Sequence, residues 1–207
     1  MKNKNLILVG GGGHCKSVIE VAESAGYTIL GILDKKEEVG KKVLSYSIIG
    51  TDDDIYTYKD KALFLVTVGQ IKEVALRITL HEMIKQAGGK LAALIASTAY
   101  VSKYAKIGEG SVVMHHAFVN AAATIGKGCI INTFANIEHD VQIGDFCHIS
   151  TGTMINGNVQ IGNNCFVGSQ SVLINNVSIC DNVVIGAGTT IIKNISNEGV
   201  FYGNSIK

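Results

Sequence analysis

The stretch Asn136–Ile149, NIEHDVQIGDFCHI, decides how the second half of this chain folds. Ile137, Ile143 and Ile149 recur at a step of six residues. Neither a helix, with a period of about 3.6, nor a strand, with a period of about two, produces that spacing. Followed outward in both directions, the step holds from Val101 to Ile191, and every residue on it is Val, Ile or Leu. Two places before each of them stands a small or β-branched residue, from Ala99 and Ala105 through to Val183 and Thr189. One large and one small inward position in every six is the signature of a hexapeptide β-helix. Gly108, Gly126, Gly144 and Gly162 recur every eighteen residues, which predicts three hexads per coil. No register break interrupts the run, so no long loop is expected to leave it.

The same register accounts for three of the five cysteines. Cys129, Cys147 and Cys165 share the small inward position and are predicted to stack as small hydrophobes. There is no CxxC, so a disulfide framework is not expected, and Cys15 and Cys180 have no visible partner. With 24 Gly and no Pro among 207 residues, tight turns must come from Gly, Asn and Asp. A net charge of +1 gives no field that would draw nucleic acid or a lipid surface. The opening MKNKNLILVGGGG is too short in apolar residues for a signal segment or a membrane span, which points to a cytoplasmic location.

The first half reads differently. NLILVG (5–10), TILGILD (28–34) and ALFLVTVG (62–69) are strands; HCKSVIEVAESAG (14–26) and IKEVALRITLHEMIKQAGG (71–89) are helices. Strands alternating with helices predict a small parallel sheet, an α/β domain of Rossmann-like kind. The expected division is an α/β domain over 1–92, a β-helix over 93–192 and a tail over 193–207. His81 reads as surface or packing, without a role. Gly10, Gly11, Gly12 and Gly13 lie between a strand and a helix, where backbone can approach a phosphate and a helix N-terminus offers donors. The dinucleotide fingerprint is not met, because Cys15 stands where its third glycine belongs. A nucleoside-diphosphate sugar fits better, with His14 near the sugar, Asp34 on base or ribose, and Gly69 on the same edge. The bland reading is a plain turn, with Asp34 as a cap.

The remaining question is why a stacking repeat carries Glu138, His139 and Asp140 together, with His148 nine residues after His139. Ala135 and Ile137 point inward, so His139 and Asp140 fall on a corner of the coil. His148 precedes an inward Ile149 and therefore faces out from a flat side. A neutral imidazole can accept a proton at neutral pH, and a neighbouring carboxylate fixes its tautomer.

GGGGH (10–14), ILD (32–34), NTFANIEHD (132–140), the His148 spacing and the unbroken hexads together resemble a family of bacterial sugar acetyltransferases. These couple an α/β domain to a left-handed parallel β-helix, and include nucleotide-4-amino-sugar N-acetyltransferases and sialic acid O-acetyltransferases. The resemblance covers nearly the whole chain. It implies a homotrimer with active sites between subunits, acetyl-CoA as donor, no metal, and a nucleotide-linked amino sugar held by the first domain. It implies His139 as general base, with Asp140, or else Glu138, orienting it. Asn132 is implied on the substrate or acetyl oxygen, and His148 near the acetyl-CoA thioester. Gly152 and Gly157 would lend backbone N–H groups to the donor. The C-terminal GNSIK (203–207) departs from the family's usual ending. His115 and His116 have no motif support and read as surface or interface residues.

The leading reading is N-acetylation of a nucleotide-linked 4-amino sugar, and the runner-up is O-acetylation of sialic acid or a related sugar. A zinc enzyme resembling γ-type carbonic anhydrase would need three convergent histidines from His115, His116, His139 and His148, and leaves the glycine loop unexplained. A non-catalytic scaffold would tolerate loss of His139.

Overall fold

The computed structural model describes residues 4–71 and 73–203. In the first half, β1 (Asn5–Val9), β2 (Thr28–Leu33), β3 (Lys42–Val43), β4 (Tyr46–Gly50), β5 (Leu63–Val66) and β6 (Lys90–Leu91) form one sheet in the order β3-β4-β2-β1-β5-β6. Its pairs are parallel except β3 with β4, a short antiparallel edge that the sequence pattern did not reveal. The apolar runs of β1 and β5 sit in the middle, with Leu6, Ile7, Leu8, Phe64 and Leu65 fully buried. That is what strands covered on both faces require. Helices α1 (Gly13–Ser24), α2 (Ile55–Tyr58) and α3 (Ala75–Gln86) connect them.

The second helix was expected from residue 71 but starts at Ala75. Gln70 is drawn instead into contact with the second half of the chain, donating from Nε2 to the Phe146 carbonyl at 2.9 Å. Ile71 and Glu73 lie outside the helix, and Lys72, inside the expected span, lies outside the described residues.

From Leu94 onward the chain winds through three parallel sheets. Strand partners lie eighteen residues apart, as in Val112 with Ile130, Asn136 with Met154 and Gln142 with Gln160. The first face carries strands at Leu94, Val112, Ile130, His148 and Phe166; the second carries Tyr100, Phe118, Asn136 and Met154; the third carries Lys106, Thr124, Gln142 and Gln160. Inside, the sixfold series and its small partners form one buried column, including Ile137, Ile149, Ile155, Cys129, Cys147 and Cys165. The thiols are reduced and buried, and each donates to a backbone carbonyl of the next coil, Cys129 to Gly144 at 3.1 Å and Cys147 to Gly162 at 3.0 Å. Burying one such aliphatic side chain contributes about 1.5–3 kcal/mol. A Cβ built on Gly108 would lie 2.5 Å from the Gly126 backbone, so coils approach too closely there for any side chain.

Every sixth residue from Gly110 to Gly188 turns a corner with a left-handed φ. Gly, Asn and Asp fill most of these positions, as the missing prolines predicted. His116, Ala122, Phe134, Phe146 and Gln170 occupy them too. Coil closure fixes the turn, and the stacked neighbours hold such residues against a cost of about 1–3 kcal/mol each. His116 and Phe134 offset part of it by stacking at 5.0 Å.

One packing result differs from the sequence reading. The segment after 192 is not a plain tail: Ile195 bridges to Ile179, and Gly199–Phe201 adds a strand beside Val183–Ile185. Residues 204–207 of the departing GNSIK ending lie outside the described residues. Of the two readings of His81, surface or packing, the structure shows packing: it is 2% exposed, edge-on to Phe146 at 5.1 Å. It belongs to a seam in which α1 buries Cys15, Val18 and Ala22 against Leu94, Val112 and Ile130 of the first face.

Candidate active site

His139 and Asp140 sit on the corner between the second and third faces. Asp140 takes the left-handed turn at φ 62°, a conformation its short polar side chain tolerates. That turn brings its Oδ2 to 2.8 Å from His139 Nδ1. A carboxylate on Nδ1 places the ring proton there and leaves Nε2 as a lone-pair acceptor. Both side chains are 58% exposed, so the imidazole can reach a ligand without rearranging the core. The space beside Nε2 is kept open by Gly157, where a Cβ would lie only 2.7 Å from it. Among the described residues, the Gly157 N–H has no backbone acceptor.

Glu138 turns away from the imidazole. Its carboxylate accepts from Asn120 Nδ2 at 2.7 Å and from Asn136 Nδ2 at 3.1 Å. Those bonds, Asn136 first, hold its pKa below the ordinary carboxylate value. Between the two acids left open by the sequence, the geometry therefore puts Asp140 on the histidine. Gly152 is not a free donor within the chain, since its N–H is spent on the Thr133 carbonyl at 3.0 Å.

His148 and Asn132 form a second cluster, on the first face. His148 is 9% exposed, and burial pushes its pKa down to about 4. Its Nδ1 donates to the Gln70 carbonyl at 2.7 Å, which leaves Nε2 to accept from the Asn132 amide at 3.1 Å. Phe166 closes over the ring edge-on at 5.2 Å. His139 and His148 thus occupy different sides of one chain. His115 bonds Thr98 at 2.8 Å on yet another corner. Among the described residues, no group of three His, Cys, Asp or Glu side chains could hold a metal ion.

At the other end, the glycine loop runs off β1. A Cβ on Gly10, at φ 106°, would meet Val68 Cγ2 at 2.6 Å. Asp34 braces the loop, accepting from Gly11 N–H at 2.6 Å and from Lys35 N–H at 2.7 Å. Gly12 and Gly13 are open, and no side chain caps the start of α1, as a phosphate seat would need. His14 lies beside Gly69, whose Cβ would be 3.6 Å from that of His14. Its Nε2 is buried with no partner among the described residues, and burial, then Arg77 and His148, lowers its pKa to about 3. Asp34 also lines a cavity of about 550 Å³ with Lys35, Thr51, Asp52 and Met83.

Sequence reasoning missed Gln70 and Arg77. Arg77 is 1% exposed and donates to the Val66, Val68 and Gly128 carbonyls. An arginine among the apolar positions of a helix was the only available signal.

Residues 5–84 match the family model of the PglD N-terminal domain, and 122–157 and 158–193 match that of the bacterial transferase hexapeptide, six repeats. The acetyltransferase domain of PglB from Neisseria gonorrhoeae, solved with acetyl coenzyme A, is 32% identical over 97% of both chains, with a TM-score of 0.89. PerB from Caulobacter crescentus, solved with CoA and GDP-perosamine, is 29% identical over 96% of this chain and 94% of that one, TM-score 0.88. A histidine-to-asparagine variant of perosamine N-acetyltransferase from the same organism, again with CoA and GDP-perosamine, is 28% identical over 96% of this chain and 93% of its own, TM-score 0.90. An uncharacterized protein of Acanthamoeba polyphaga mimivirus is 33% identical over 53% of the chain, and the match spans 21% of that protein's length.

Proposed function

This chain belongs to the left-handed β-helix sugar acetyltransferases, and on that premise we propose that it moves the acetyl group of acetyl-CoA directly onto the 4-amino group of a nucleotide-linked amino-deoxy sugar. The observation that carries the reading is the exposed His139–Asp140 pair at 2.8 Å, with Gly157 holding Nε2 open. Such a pair is what amide formation from a thioester needs, because the amine must lose a proton as it attacks.

In the proposed reaction the sugar amine attacks the thioester carbon and a C–N bond forms. His139 Nε2 takes the amine proton, and Asp140 stabilises the imidazolium. The tetrahedral intermediate collapses, the C–S bond breaks, and the thiol of coenzyme A leaves with a proton returned by His139. The Gly157 N–H is a candidate donor to the acyl oxygen. His148 and Asn132 meet the thioester or sugar from the first face. Because they lie away from His139 in one chain, the complete site is formed between subunits of a homotrimer. The exposed Tyr100, Phe134 and Met154 on and beside the second face give a neighbouring copy apolar surface to cover. The open glycines and the unpartnered His14 Nε2 receive the nucleotide-sugar. No helix among the described residues is long and apolar enough to cross a membrane, and a cytoplasmic setting for surface-glycan synthesis accords with that.

The test is product formation followed by mass spectrometry. The protein is mixed with acetyl-CoA and UDP-, dTDP- and GDP-linked 4-amino sugars, sialic acid and its CMP form. Acetyl gain on one amino sugar, lost in His139→Ala, is expected. Acetyl gain on sialic acid alone would replace N- with O-acetylation. No product from any member would overturn the reading.

A further inference from the structure

The seam between the α/β domain and the first face carries polar groups that the transfer chemistry does not use. The loop 67–70, which follows β5, touches both ligand-facing regions. At one end Thr67 Oγ1 donates to the Gly10 carbonyl at 2.5 Å, and Val68 packs on Gly10. At the other, the Gln70 carbonyl accepts the His148 Nδ1 proton, and the Gln70 side chain is tied to Phe146. Arg77 clamps the whole assembly, since one guanidinium bonds Val66 and Val68 on the loop side and Gly128 on the β-helix side.

The chain of hydrogen bonds continues past His148. Its Nε2 accepts from Asn132 Nδ2, and Asn132 Oδ1 accepts the Thr133 N–H at 2.8 Å. Each link fixes the next. Were the proton on Nε2 instead, it would face the Asn132 N–H, donor against donor, and the Asn132 amide could turn over only by losing the Thr133 bond. A carbonyl from the first domain therefore decides which way two side chains of the β-helix present their donors.

We infer that Gln70 and Arg77 are positioning residues for acetyl transfer: they hold loop 67–70 so that His148 keeps its proton on Nδ1 and Asn132 keeps its amide orientation. This rests on the reading that Asn132 and His148 meet the substrates. It also makes the glycine loop and the acyl-side residues share one rigid support, so both are set by the same clamp.

The test is ¹⁵N NMR of histidine-labelled protein, with His148 assigned through His148→Gln, beside steady-state kinetics. Wild-type His148 is expected as the neutral Nδ1–H tautomer near neutral pH. In Gln70→Ala, which frees the loop from Phe146, the Nε2–H form is expected to appear. The kcat of that variant should fall about tenfold, with KM for acetyl-CoA within about twofold, as misplacement of a positioned group does. Arg77→Met should do the same and Arg77→Lys should recover part; if Arg77→Met does not fold, Gln70→Ala and Gln70→Asn carry the test. An unchanged tautomer in Gln70→Ala would overturn the inference, whatever the rate. A changed tautomer with unchanged kcat would overturn the catalytic part. If no sugar is acetylated at all, the proposed reaction fails, and the tautomer measurement still decides whether the loop sets His148.

Discussion

The seam and the corner hold the same residue type under opposite conditions. In the seam, His81 and His148 are shut away and His14 is half-buried with its Nε2 covered, and burial lowers their pKa values to about 3, 4 and 3. On the corner between the second and third faces, His139 is exposed and its ring is paired with Asp140. A buried histidine without a carboxylate stays neutral and serves as a fixed donor or acceptor. An exposed one with a carboxylate on Nδ1 can take up and release a proton in each turnover. The fold thus separates the histidines fixed in the seam from the one that the proposed reaction uses as its base.

The sharpest way to break that distinction is His139→Ala. Loss of a general base is expected to lower kcat by about 10²–10⁴-fold. The thermal midpoint should barely move, because the side chain packs on no core. A loss below about threefold, measured as product by mass spectrometry, would mean the corner is not where the proton goes.

Gly157→Ala tests the same corner from the other side. The new methyl would displace the free end of His139 and press on the side-chain amide of Asn175 at 3.2 Å, both of them flexible tips, which is cheap for stability. The imidazole would no longer hold its acceptor atom in place, and kcat should drop about tenfold or more. A variant as active as wild type would show that Nε2 works from another rotamer.

The seam makes a pH prediction. The three seam histidines have folded pKa values below the ordinary 6.5, so beneath pH 6.5 the unfolded chain binds protons that the folded chain refuses. Stability is therefore fully present above about pH 6.5 and declines as pH falls toward 4 and then 3. Each histidine adds at most about 1.4 kcal/mol per pH unit to that slope. Urea unfolding across pH 4–8 should show it, and His81→Gln should flatten it by one proton. An unchanged slope in His81→Gln would erase the contrast between the regions.

The smallest expected effects separate the two acids. Asp140→Asn should cost about tenfold in kcat, because the imidazole would lose the carboxylate that fixes its tautomer and orientation. Glu138→Gln should cost less than about threefold, since that carboxylate is engaged by Asn120 and Asn136. The reverse order would reassign the orienting group.

How legible each part was follows from the range of the forces involved. The six-residue step is a local pattern, and coil geometry turns it directly into inward and outward positions; the column from Val113 to Ile191 lies as the sequence predicted. His139, Asp140 and Asn132 stood out because they break that pattern or fill a motif within it. The extra strand at Gly199–Phe201 was missed, since its partner Val183–Ile185 supplies the pairing that its own composition does not advertise. Arg77 was passed over because its worth lies in carbonyls eleven, nine and fifty-one residues away.

By itself, then, the sequence determined the β-helix, its register, the α/β domain and the acid–imidazole corner, all of which depend on neighbours within a coil or a helix turn. Only the tertiary structure decided which carboxylate faces His139, that His81 and His148 are buried, and that a loop of the first domain reaches His148. Those outcomes depend on hydrogen bonds and desolvation between segments far apart in the chain, and no local spacing records them.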